Sequence, residues 1–432
     1  MTTTFYRAKP ENALFATGEA DCAPLDSDVR AVIEKGAPAG LYDGKRVLVL
    51  TPDATRTCPL PMMVRAIGEV IGRRCERLDF MVALGTHAPL SQEEIPRLYG
   101  IRGPREVFAG SSFYNHEWYD ESIYRQIGRF DAKEIEELSE GLLSEEVPIV
   151  INRKVFDYDL ILIVGPVFPH EVVGFSGGAK YLFPGISGGD FLHFFHWLGA
   201  LITCKKIIGI KDTPVRRLIH KALEKLPVAV HCLAMVVGRD CRLSGLYAGD
   251  AREAWSEAAD LSAKVHIVVK ERSFSTVLGR SPLMYDELWT AGKVMYKLEQ
   301  VVAPGGTLII YGPHIREVSR AWGSFIERAG YHTRDYLLEH MDGFGDIPRG
   351  VLAHLTHVKG TGVCRGGIEE PDVNVVLATG IPRDVCERIN LGYMDPHSVR
   401  IADYMGREDE GILFVDQAGE TLYRLDEGRG TA

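Results

Sequence analysis

A glycine-rich segment with one lysine, flanked by histidines, holds more reactive side chains than a structural core needs. The run PHEVVGFSGGAKYLFPG spans residues 169–185, and the helix-like run DFLHFFHW follows at 190–197. Imidazole rings exchange protons near neutral pH and bind metals, while a lysine amine contacts phosphate, forms a Schiff base or tethers a cofactor. We therefore expect the active site here. Its candidate groups are His170, Lys180, His193 and His196.

The loop at 174–179 is able to turn its backbone N–H groups toward an anion, as glycine nests do. Ser176, Gly177 and Gly178 are therefore candidates for cofactor contacts. The loop lacks both the spacing G-x-x-x-x-G-K-[ST] and the fingerprint G-x-G-x-x-G, so the sequence does not support binding of ATP or NAD. The alternative for Lys180 is a structural lysine on a surface loop.

Two histidines on the following helix present a choice that their chemistry leaves open. His193 and His196 are three residues apart and share a helix face, so either is a possible metal ligand. The apolar residues around them make packing into a core an equally compatible interpretation.

Polar loops follow three predicted strands at the point where each strand ends. RVLVL runs into TPDATRTCP, DFMVAL into GTHAPLS, and DLILIV into GPVFPHEV. In open α/β sheets the ligand crevice lies outside the carboxyl ends of the strands, so we expect these loops to converge on one pocket. The residues gathered there would be Asp53, Arg56, His87, His170 and Lys180.

Each of these side chains also has a structural interpretation. Asp53 precedes a helix and would serve as its cap. Arg56 would pair with a surface carboxylate, although its fork of donors also suits a bound carboxylate or phosphate. For His87, the sequence GTH directly after a buried strand favours a ring aimed into a crevice. For His170, the neighbouring Glu171 would orient the ring.

Short β-branched runs alternate with amphipathic helices, which is typical of parallel sheets built from βαβ units. The chain of 432 residues is too long for one typical core. We therefore predict an α/β fold with two domains, each with a mostly parallel sheet flanked by helices, and an active site in the interdomain cleft. The predicted strands are 46–50, 80–84, 160–164, 228–237, 266–269, 307–311 and 373–378, and the predicted helices are 59–74, 92–99, 214–226, 252–264 and 317–329.

The predicted domain boundary falls after a strand near residue 272. Residues 1–272 would form a cofactor-binding catalytic domain, and residues 273–404 a smaller α/β domain that closes on the substrate. The tail at 405–432 contains GILFVDQAGETLYRL, two apolar runs around a glycine-containing turn. This pattern predicts a hairpin or a return to the first domain.

Composition excludes several classes of protein. A net charge of -10 without a basic stripe argues against a nucleic-acid partner. No apolar run approaches the length of a membrane span, and the start of the chain, MTTTFYRAKPENALF, lacks an export signal, so we expect a cytoplasmic protein. The eight cysteines include no C-x-x-C pair, which favours buried thiols over a zinc knuckle or a disulfide framework.

In this order, the motifs DATR, GTH and PHEVVGFSGGAKYLFPG, with a histidine sixteen positions after the lysine, form a specific pattern. The chain resembles the nickel-dependent lactate racemase family of 2-hydroxy acid racemases and epimerases, and the resemblance covers nearly its whole length. It implies a nickel-pincer nucleotide, a pyridinium mononucleotide whose thiocarbonyl arm is joined to a lysine. Lys180 matches that tether, and His196 matches the protein ligand to nickel, with His193 as second choice.

The resemblance also implies roles for the residues on the strand-end loops. His87 and His170 match the two acid/base histidines, one for each hand of the substrate. Removing the α-hydrogen as hydride, while a base takes the hydroxyl proton, gives a planar 2-keto acid that can be reduced from either face. General acid–base help of this kind is typically worth about 10²–10⁴-fold. Asp53 and Arg56 match residues at the substrate carboxylate.

In the C-terminal half, the family pattern D-x-x-x-[YF]-Q-x-x-K corresponds to the stretch YDELWTAGK at residues 285–293. Lys293 matches its lysine, Trp289 stands at the aromatic position, and Thr290 stands where lactate racemases have glutamine. The shorter side chain leaves space and removes an amide donor. We therefore predict a 2-hydroxy acid other than lactate, with a longer or different side chain, held in a cleft that closes by domain movement.

Several alternatives remain at this point. The same cofactor would support C2 epimerisation of a sugar acid such as an aldonate, with Asp286, Glu287 and Thr290 as hydrogen-bond partners. Pyridoxal phosphate on Lys180 and a zinc site built from three histidines rank lower. A protein that merely binds a hydroxy acid or the cofactor would have no use for paired histidines. The resemblance further implies that separate cofactor-making enzymes mature the protein.

Overall fold

The computed structural model describes residues 15–17, 26–101, 110–238 and 241–426. The first fourteen residues, which contain most of the segment considered for an export signal, lie outside the described residues, and so does Cys22. The chain forms two compact units. The first contains the described residues up to Phe168 together with Phe175–Leu192 and Lys211–Val265. The second contains Pro169–Gly174, His193–Ile210 and the described residues from His266 onward.

The described strands are β1 (Phe15–Thr17), β2 (Arg46–Thr51), β3 (Arg77–Val82), β4 (Phe113–Asn115), β5 (Tyr124–Phe130), β6 (Val147–Asn152), β7 (Leu160–Pro166), β8 (Pro169–His170), β9 (Gly174–Phe175), β10 (Ala229–Val237), β11 (Leu243–Asp250), β12 (Ile267–Lys270), β13 (Phe274–Arg280), β14 (Val302–Gly312), β15 (Gly362–Arg365), β16 (Ile368–Pro371), β17 (Asn374–Thr379), β18 (Gly392–Tyr393), β19 (Ile412–Val415) and β20 (Leu422–Leu425).

The described α-helices are α1 (Asp26–Gly36), α2 (Leu60–Ile67), α3 (Glu94–Tyr99), α4 (Ala132–Leu138), α5 (Gly189–Ile202), α6 (Cys204–Ile207), α7 (Pro214–Glu224), α8 (Ala251–His266), α9 (Leu288–Ala291), α10 (Lys293–Leu298), α11 (Gly323–Ala329), α12 (Arg334–Glu339), α13 (Arg349–Lys359) and α14 (Arg383–Arg388).

The first unit is built on a seven-stranded sheet in the order β1-β11-β10-β7-β2-β3-β4. Strands β10, β7, β2, β3 and β4 pair in parallel, while β11 runs antiparallel to both of its neighbours. Every residue of β7 is buried, as expected for a parallel strand covered on both faces. The predicted α/β class with a mostly parallel sheet is confirmed.

Three adjacent strands of this sheet position the predicted site. The parallel neighbours β7, β2 and β3 end at Pro166, Thr51 and Val82, so the loops that follow them leave the same edge of the sheet. Asp53 lies two residues after β2, and His87 lies five residues after β3. The pattern of buried runs followed by polar loops therefore located this edge correctly.

The second unit contains a wholly parallel sheet in the order β18-β17-β14-β13-β19 and a separate pair of strands, β12 and β20. The tail is not the predicted hairpin, because β19 pairs with β13 while β20 pairs with β12. Two hydrogen bonds from the Arg280 guanidinium to Asp416, at 2.6 and 2.5 Å, hold the end of β19 beside β13. Both tail strands lie in the second unit.

Two predicted helices are shorter in the structure. The predicted helix at 59–74 ends as α2 at Ile67 and continues as a π-helical turn, Gly68–Gly72. The predicted helix at 317–329 begins only at Gly323. The first residues of the predicted range are not helical, because the carbonyls of Glu317 and Val318 accept hydrogen bonds from backbone N–H groups at the start of α9, at 3.0 and 2.9 Å.

The division into units also differs from the predicted boundary at residue 272. The second unit begins at His266 and includes two earlier segments, Pro169–Gly174 and His193–Ile210, that the prediction assigned to the first domain. These segments carry His170, His193 and His196. Among the described helices, none is both long and apolar enough to cross a membrane.

Candidate active site

Asp53 and His87 meet at the edge where β2 and β3 end. Nδ1 of His87 lies 2.5 Å from Oδ2 of Asp53. The other carboxylate oxygen of Asp53 accepts hydrogen bonds from the backbone N–H of Thr55 at 3.1 Å and from its hydroxyl at 2.6 Å. The backbone carbonyl of His87 is held by the indole N–H of Trp118 at 2.9 Å. Asp53 is therefore not the predicted helix cap, since α2 begins after Pro59 without a side-chain cap; it closes a local turn with Thr55 and makes a long-range contact to His87.

The charge state of Asp53 determines which ring nitrogen of His87 donates a hydrogen bond to it. Burial by itself raises the pKa of Asp53, but the charge and hydrogen bond of His87, the charge of Arg56 and the hydrogen bond from Thr55 outweigh it and hold the pKa well below its usual range. An ionised carboxylate only accepts hydrogen bonds, so Nδ1 of His87 donates to Asp53, and in the neutral ring the lone pair is on Nε2. The His87 side chain is 39% exposed, so the ring is partly accessible to solvent.

Arg56 belongs to the same group of side chains. Its guanidinium carbon lies 5.5 Å from the centroid of the Phe168 ring, and its charge acts on both Asp53 and the buried phenol of Tyr181. The loops after β2 and β3 thus bring together a carboxylate, a guanidinium and an imidazole. A guanidinium fork at this place suits a carboxylate ligand.

The glycine loop is fixed to the end of β7 by Ser176. The Ser176 hydroxyl accepts a hydrogen bond from the backbone N–H of Phe168 at 3.0 Å and donates one to the carbonyl of Pro166 at 3.1 Å. Gly177 and Gly178 have φ values of +78° and +58°, and a Cβ on either would lie within 3 Å of Val167 or Trp255. The Ser176 hydroxyl therefore holds the loop, and its contact with a cofactor stays a prediction.

Lys180 lies in a short 3-10 turn, Gly178–Tyr181, at the end of this loop. The next residue, Tyr181, is half-buried, with its phenol against β7. An ideal Cβ at Gly165 in β7 would come within 2.0 Å of the Tyr181 hydroxyl, so only glycine leaves room for the phenol. The position of Lys180 is thus fixed by its neighbour in the chain, because the Tyr181 ring packs on β7, the central strand of the sheet.

Replacing Gly165 with alanine is expected to destabilise the first unit by about 1–3 kcal/mol, because the added methyl group has to displace the Tyr181 ring. Urea unfolding of the two proteins measures the difference. Gly189→Ala is the matched control, since an added Cβ at Gly189 meets nothing within 4 Å. Equal stability of Gly165→Ala and the wild-type protein would show that the ring does not need this space.

In the second unit, His170 is buried beside the carboxylate of Glu171. Its Nδ1 accepts a hydrogen bond from the backbone N–H of Val172 at 3.2 Å and lies 3.5 Å from the Glu171 carboxylate. In the neutral ring the proton is then on Nε2, the opposite of the arrangement at His87. Lys297, only 2% exposed, donates from Nζ to the carbonyl of Pro169.

Lys293 lies near the same group. Burial by itself raises the pKa of Glu171, but a backbone hydrogen bond and the charges of Lys297, His357 and Lys293 lower it on balance. The Lys293 ammonium also lies 4.7 Å from the centroid of the Tyr285 ring. The second unit therefore places a buried histidine, a carboxylate and two lysines in one electrostatic neighbourhood.

His193 and His196 on α5 lie among aromatic and imidazole rings of the second unit. The His193 ring stands edge-on to Trp322 at 6.4 Å, and the charge of His196 helps to lower the pKa of His354. Trp289 lies 4.0 Å from His354, measured between ring centroids. Trp289 is thus part of an aromatic cluster beside the two candidate metal ligands.

Thr290 and its acidic neighbours already have partners in the second unit. The Thr290 hydroxyl donates to the carbonyl of Glu287 at 3.0 Å. The Glu287 carboxylate accepts from the backbone N–H of Arg320 at 2.7 Å, and Asp286 pairs with the Arg320 guanidinium at 2.8 Å. These three groups were the predicted partners of a polyhydroxylated acid, and the structure commits each of them to the protein itself.

Sequence reasoning overlooked several buried groups near the predicted site. The helix α13 was not predicted, although it carries His354 and His357 three residues apart. Both histidines are fully buried, and the Nε2 atom of His357 has no hydrogen-bond partner. Lys297 was also missed, although it stands one helical turn after Lys293. The spacing of like residues by three or four positions was the available indication in both cases.

Comparisons with known proteins agree with the motifs. The profile of the lactate racemase N-terminal domain matches residues 30–206. Two curated relatives are lactate racemases, one from Lactiplantibacillus plantarum (24% identical over 301 residues, 66% of this chain and 63% of that protein) and one from Thermoanaerobacterium thermosaccharolyticum (22% identical over 277 residues, 62% of this chain and 60% of that protein). Over residues 30–206 the chain belongs to the lactate racemase family.

Solved structures extend the similarity over most of the chain. A crystal structure of a protein from Thermotoga maritima superposes with a TM-score of 0.84 and 32% identity, covering 93% of this chain and 98% of that one. The lactate racemase apoprotein from Thermoanaerobacterium thermosaccharolyticum superposes with a TM-score of 0.67 and 16% identity, covering 90% and 88%. At that identity the second likeness concerns the fold alone.

The lactate racemase domain match covers only part of the predicted site. The matched range of 30–206 contains the candidate residues of the strand-end loops and of α5, whereas Trp289, Thr290 and Lys293 lie beyond it. The chain also matches less than two thirds of the length of the two curated lactate racemases. The substrate of this chain therefore has to be inferred from its own residues and not from the family.

Proposed function

We propose that this protein is a racemase of a small 2-hydroxy acid. One observation carries the proposal beyond family membership: the structure contains two histidines whose ring nitrogens are held in opposite states. Nδ1 of His87 donates to the Asp53 carboxylate, whereas Nδ1 of His170 accepts from the Val172 N–H. Inverting a carbinol carbon needs one group that takes the hydroxyl proton and one that gives a proton back on the other face.

The donor set fits a cofactor that brings its own metal ligands. In residues 15–17, 26–101, 110–238 and 241–426, no group of three or more His, Cys, Asp or Glu side chains could hold a metal ion. A nickel-pincer nucleotide needs one imidazole ligand and one tethering amine from the protein, and we assign these roles to His196 and Lys180. When bound, it supplies an acceptor for the α-hydrogen, which leaves and returns as hydride.

The residues of the chain perform the remaining work. Arg56, and Lys293 in the second unit, bind the substrate carboxylate, since a guanidinium and an ammonium both match its charge. For one enantiomer, Nε2 of His87 takes the hydroxyl proton as the 2-keto acid forms, and Asp53 stabilises the resulting imidazolium. When the keto acid is reduced on the other face, His170 returns a proton to the carbonyl oxygen from Nε2. For the other enantiomer the two histidines exchange these roles, and His170 acts as base in the tautomer whose Nδ1 proton faces Glu171.

The residue at position 290 favours a substrate larger than lactate. Thr290 is shorter than the glutamine usual in lactate racemases, and its hydroxyl is committed to the carbonyl of Glu287. The position therefore contributes space rather than a free donor. The commitments of Thr290, Asp286 and Glu287 leave no specific observation in favour of the sugar-acid epimerase alternative.

The test is a racemisation assay on protein produced together with the cofactor-making enzymes, with nickel and the Lys180 adduct quantified first. Enantiopure lactate, 2-hydroxybutyrate, 2-hydroxyisocaproate and gluconate are incubated separately and resolved by chiral chromatography. We expect racemisation of the monohydroxy acids, with a higher kcat/KM for a longer side chain than for lactate. Loaded protein that leaves every acid unchanged would contradict the proposed function, and lactate as the best substrate would contradict the substrate assignment.

A further inference from the structure

A buried arginine without an acidic partner lies behind the glycine loop of the first unit. Arg216 in α7 is 1% exposed, and burial lowers its pKa to about 9. No carboxylate in the described part of the chain lies within ion-pair distance of it, and its Nε atom has no hydrogen-bond partner. A buried cation without a counter-charge is costly, so its retention calls for a specific role.

The guanidinium and a neighbouring indole bind three consecutive backbone carbonyls of the loop. Arg216 donates from Nη2 to the carbonyl of Phe175 and from Nη1 to that of Gly177 at 3.3 Å. Between them, the indole N–H of Trp255 donates to the carbonyl of Ser176 at 2.8 Å. The Arg216 guanidinium carbon lies 4.1 Å from the Trp255 ring centroid, so the two donors also support each other. We call this arrangement the carbonyl clamp.

The carbonyl clamp fixes which way the loop faces. In a trans peptide the carbonyl and the following N–H point in opposite directions, so the N–H groups of Ser176, Gly177 and Gly178 are directed away from the clamp. The first of them is seen to donate to the carbonyl of Phe168 at 2.8 Å. The positive φ values of Gly177 and Gly178 press the chain against Val167 and the Trp255 side chain, and Lys180 follows two residues later.

The histidine of α7, His220, adds no second charge behind the carbonyl clamp. His220 stands one helical turn after Arg216, with its ring edge-on to Trp255 at 5.5 Å. Burial, followed by the charges of Arg216 and Arg252, lowers the pKa of His220 to about 3, against a smaller opposing effect of Glu224. The ring is therefore neutral at physiological pH, and it adds no second positive charge beside Arg216.

We propose that Arg216 and Trp255 are positioning residues that hold the Lys180 loop in the conformation required for cofactor attachment. The proposal rests on the proposed function in that it takes Lys180 as the tether. It assigns a purpose to the buried arginine that a hydrophobic side chain of similar length would not serve, because a single guanidinium reaches two carbonyls with its fork of donors.

The experiment compares Arg216→Met, Arg216→Lys and Trp255→Phe with the wild-type protein by three measurements. They are the free energy of unfolding in urea, hydrogen–deuterium exchange of peptides covering residues 175–181 in the apoprotein, and occupancy of the Lys180 adduct by mass spectrometry after production with the cofactor-making enzymes. Ile33→Val, in the core of the same unit, is the control for a general loss of stability.

We expect exchange of the loop peptides to become about five-fold faster for each lost hydrogen bond, and adduct occupancy to fall in step. Arg216→Met should be as stable as the wild-type protein or more so, because it removes an unpaired buried charge, yet load poorly. Ile33→Val should load normally. Arg216→Lys should stay impaired despite its charge, because an ammonium does not span two carbonyls.

Wild-type occupancy in folded Trp255→Phe and Arg216→Met would overturn the proposal, whether or not exchange changes. Lower occupancy without faster loop exchange would overturn it as well. If Arg216→Met does not fold, Trp255→Phe decides, since an aromatic ring remains beside Arg216 while the indole N–H donor is lost. If the wild-type protein itself takes no adduct, the proposed function fails, while the exchange measurement still tests whether the carbonyl clamp orders the loop.

Discussion

Lys180→Arg is expected to lose the covalent adduct completely and to reduce racemisation to the uncatalysed background. Arginine keeps the positive charge at the end of the glycine loop, but its guanidinium is not a nucleophile at neutral pH and cannot form the tether. Without the attached group nothing in the chain accepts the α-hydrogen. Intact mass and peptide mapping after production with the cofactor-making enzymes measure the adduct, and chiral chromatography measures the turnover.

Lys133→Arg is the matched control for this substitution, because the Lys133 side chain lies in the same unit and is 84% exposed. It should retain both adduct and turnover. An adduct of unchanged mass in Lys180→Arg, mapped to another lysine, would show that Lys180 is not the tether. Racemisation by a Lys180→Arg protein that carries no adduct would contradict the cofactor assignment as a whole.

The residues around Lys180 show which parts of a site a sequence reveals. The glycines, the lysine and the histidines stand close together in the chain, so their types and spacing predicted a reactive loop after β7. The side chains that shape this loop come from distant segments: Arg216 and Trp255 lie 36 and 75 residues beyond Lys180. An arginine in an amphipathic helix such as α7 predicts a solvated face. Only the fold shows that this one is buried.

The same contrast between local and distant contacts explains the errors in the predicted fold. Strands β2, β3 and β7 were predicted because each is a continuous buried run, which is what a central parallel strand requires. The tail was interpreted as a hairpin because its turn is local and visible. Its two strands instead pair in parallel with β13 and β12, more than a hundred residues away, and register over that distance leaves no local pattern.

Helix α13 was missed for a related reason. Its sequence RGVLAHLTHVK contains polar residues at positions that prevent a clean apolar stripe, yet nearly every residue is buried. His354 is satisfied by two tyrosines, with hydrogen bonds of 2.8 Å to Tyr296 and 3.2 Å to Tyr331. A helix buried on all sides shows no amphipathic period, and buried polar groups in it become explicable only when their partners are known.

The second large effect is expected at His87. His87→Gln should lower kcat/KM by about 10²–10⁴-fold, because glutamine can hydrogen-bond the substrate hydroxyl but does not take its proton. The loss should be equal in both directions, since enantiomers are equally stable and the ratio of the two kcat/KM values cannot depart from one. Initial rates from each enantiomer, measured on adduct-loaded protein, test this. His397→Gln, at an exposed histidine, is the control.

Asp53→Asn tests whether Asp53 controls the protonation of the His87 ring or only holds the ring in place. The asparagine has nearly the same shape, but its amide N–H can donate to Nδ1, which favours the tautomer with the proton on Nε2 and removes the base. Turnover should therefore fall by about 10²-fold or more although the hydrogen-bonded pair persists. Because the pKa of Asp53 is held low, its ionisation should not shape the activity profile near neutral pH in the wild-type protein. If Asp53→Asn retained full turnover with unchanged pH dependence, the carboxylate would only be part of a turn, and His87 would act without its help.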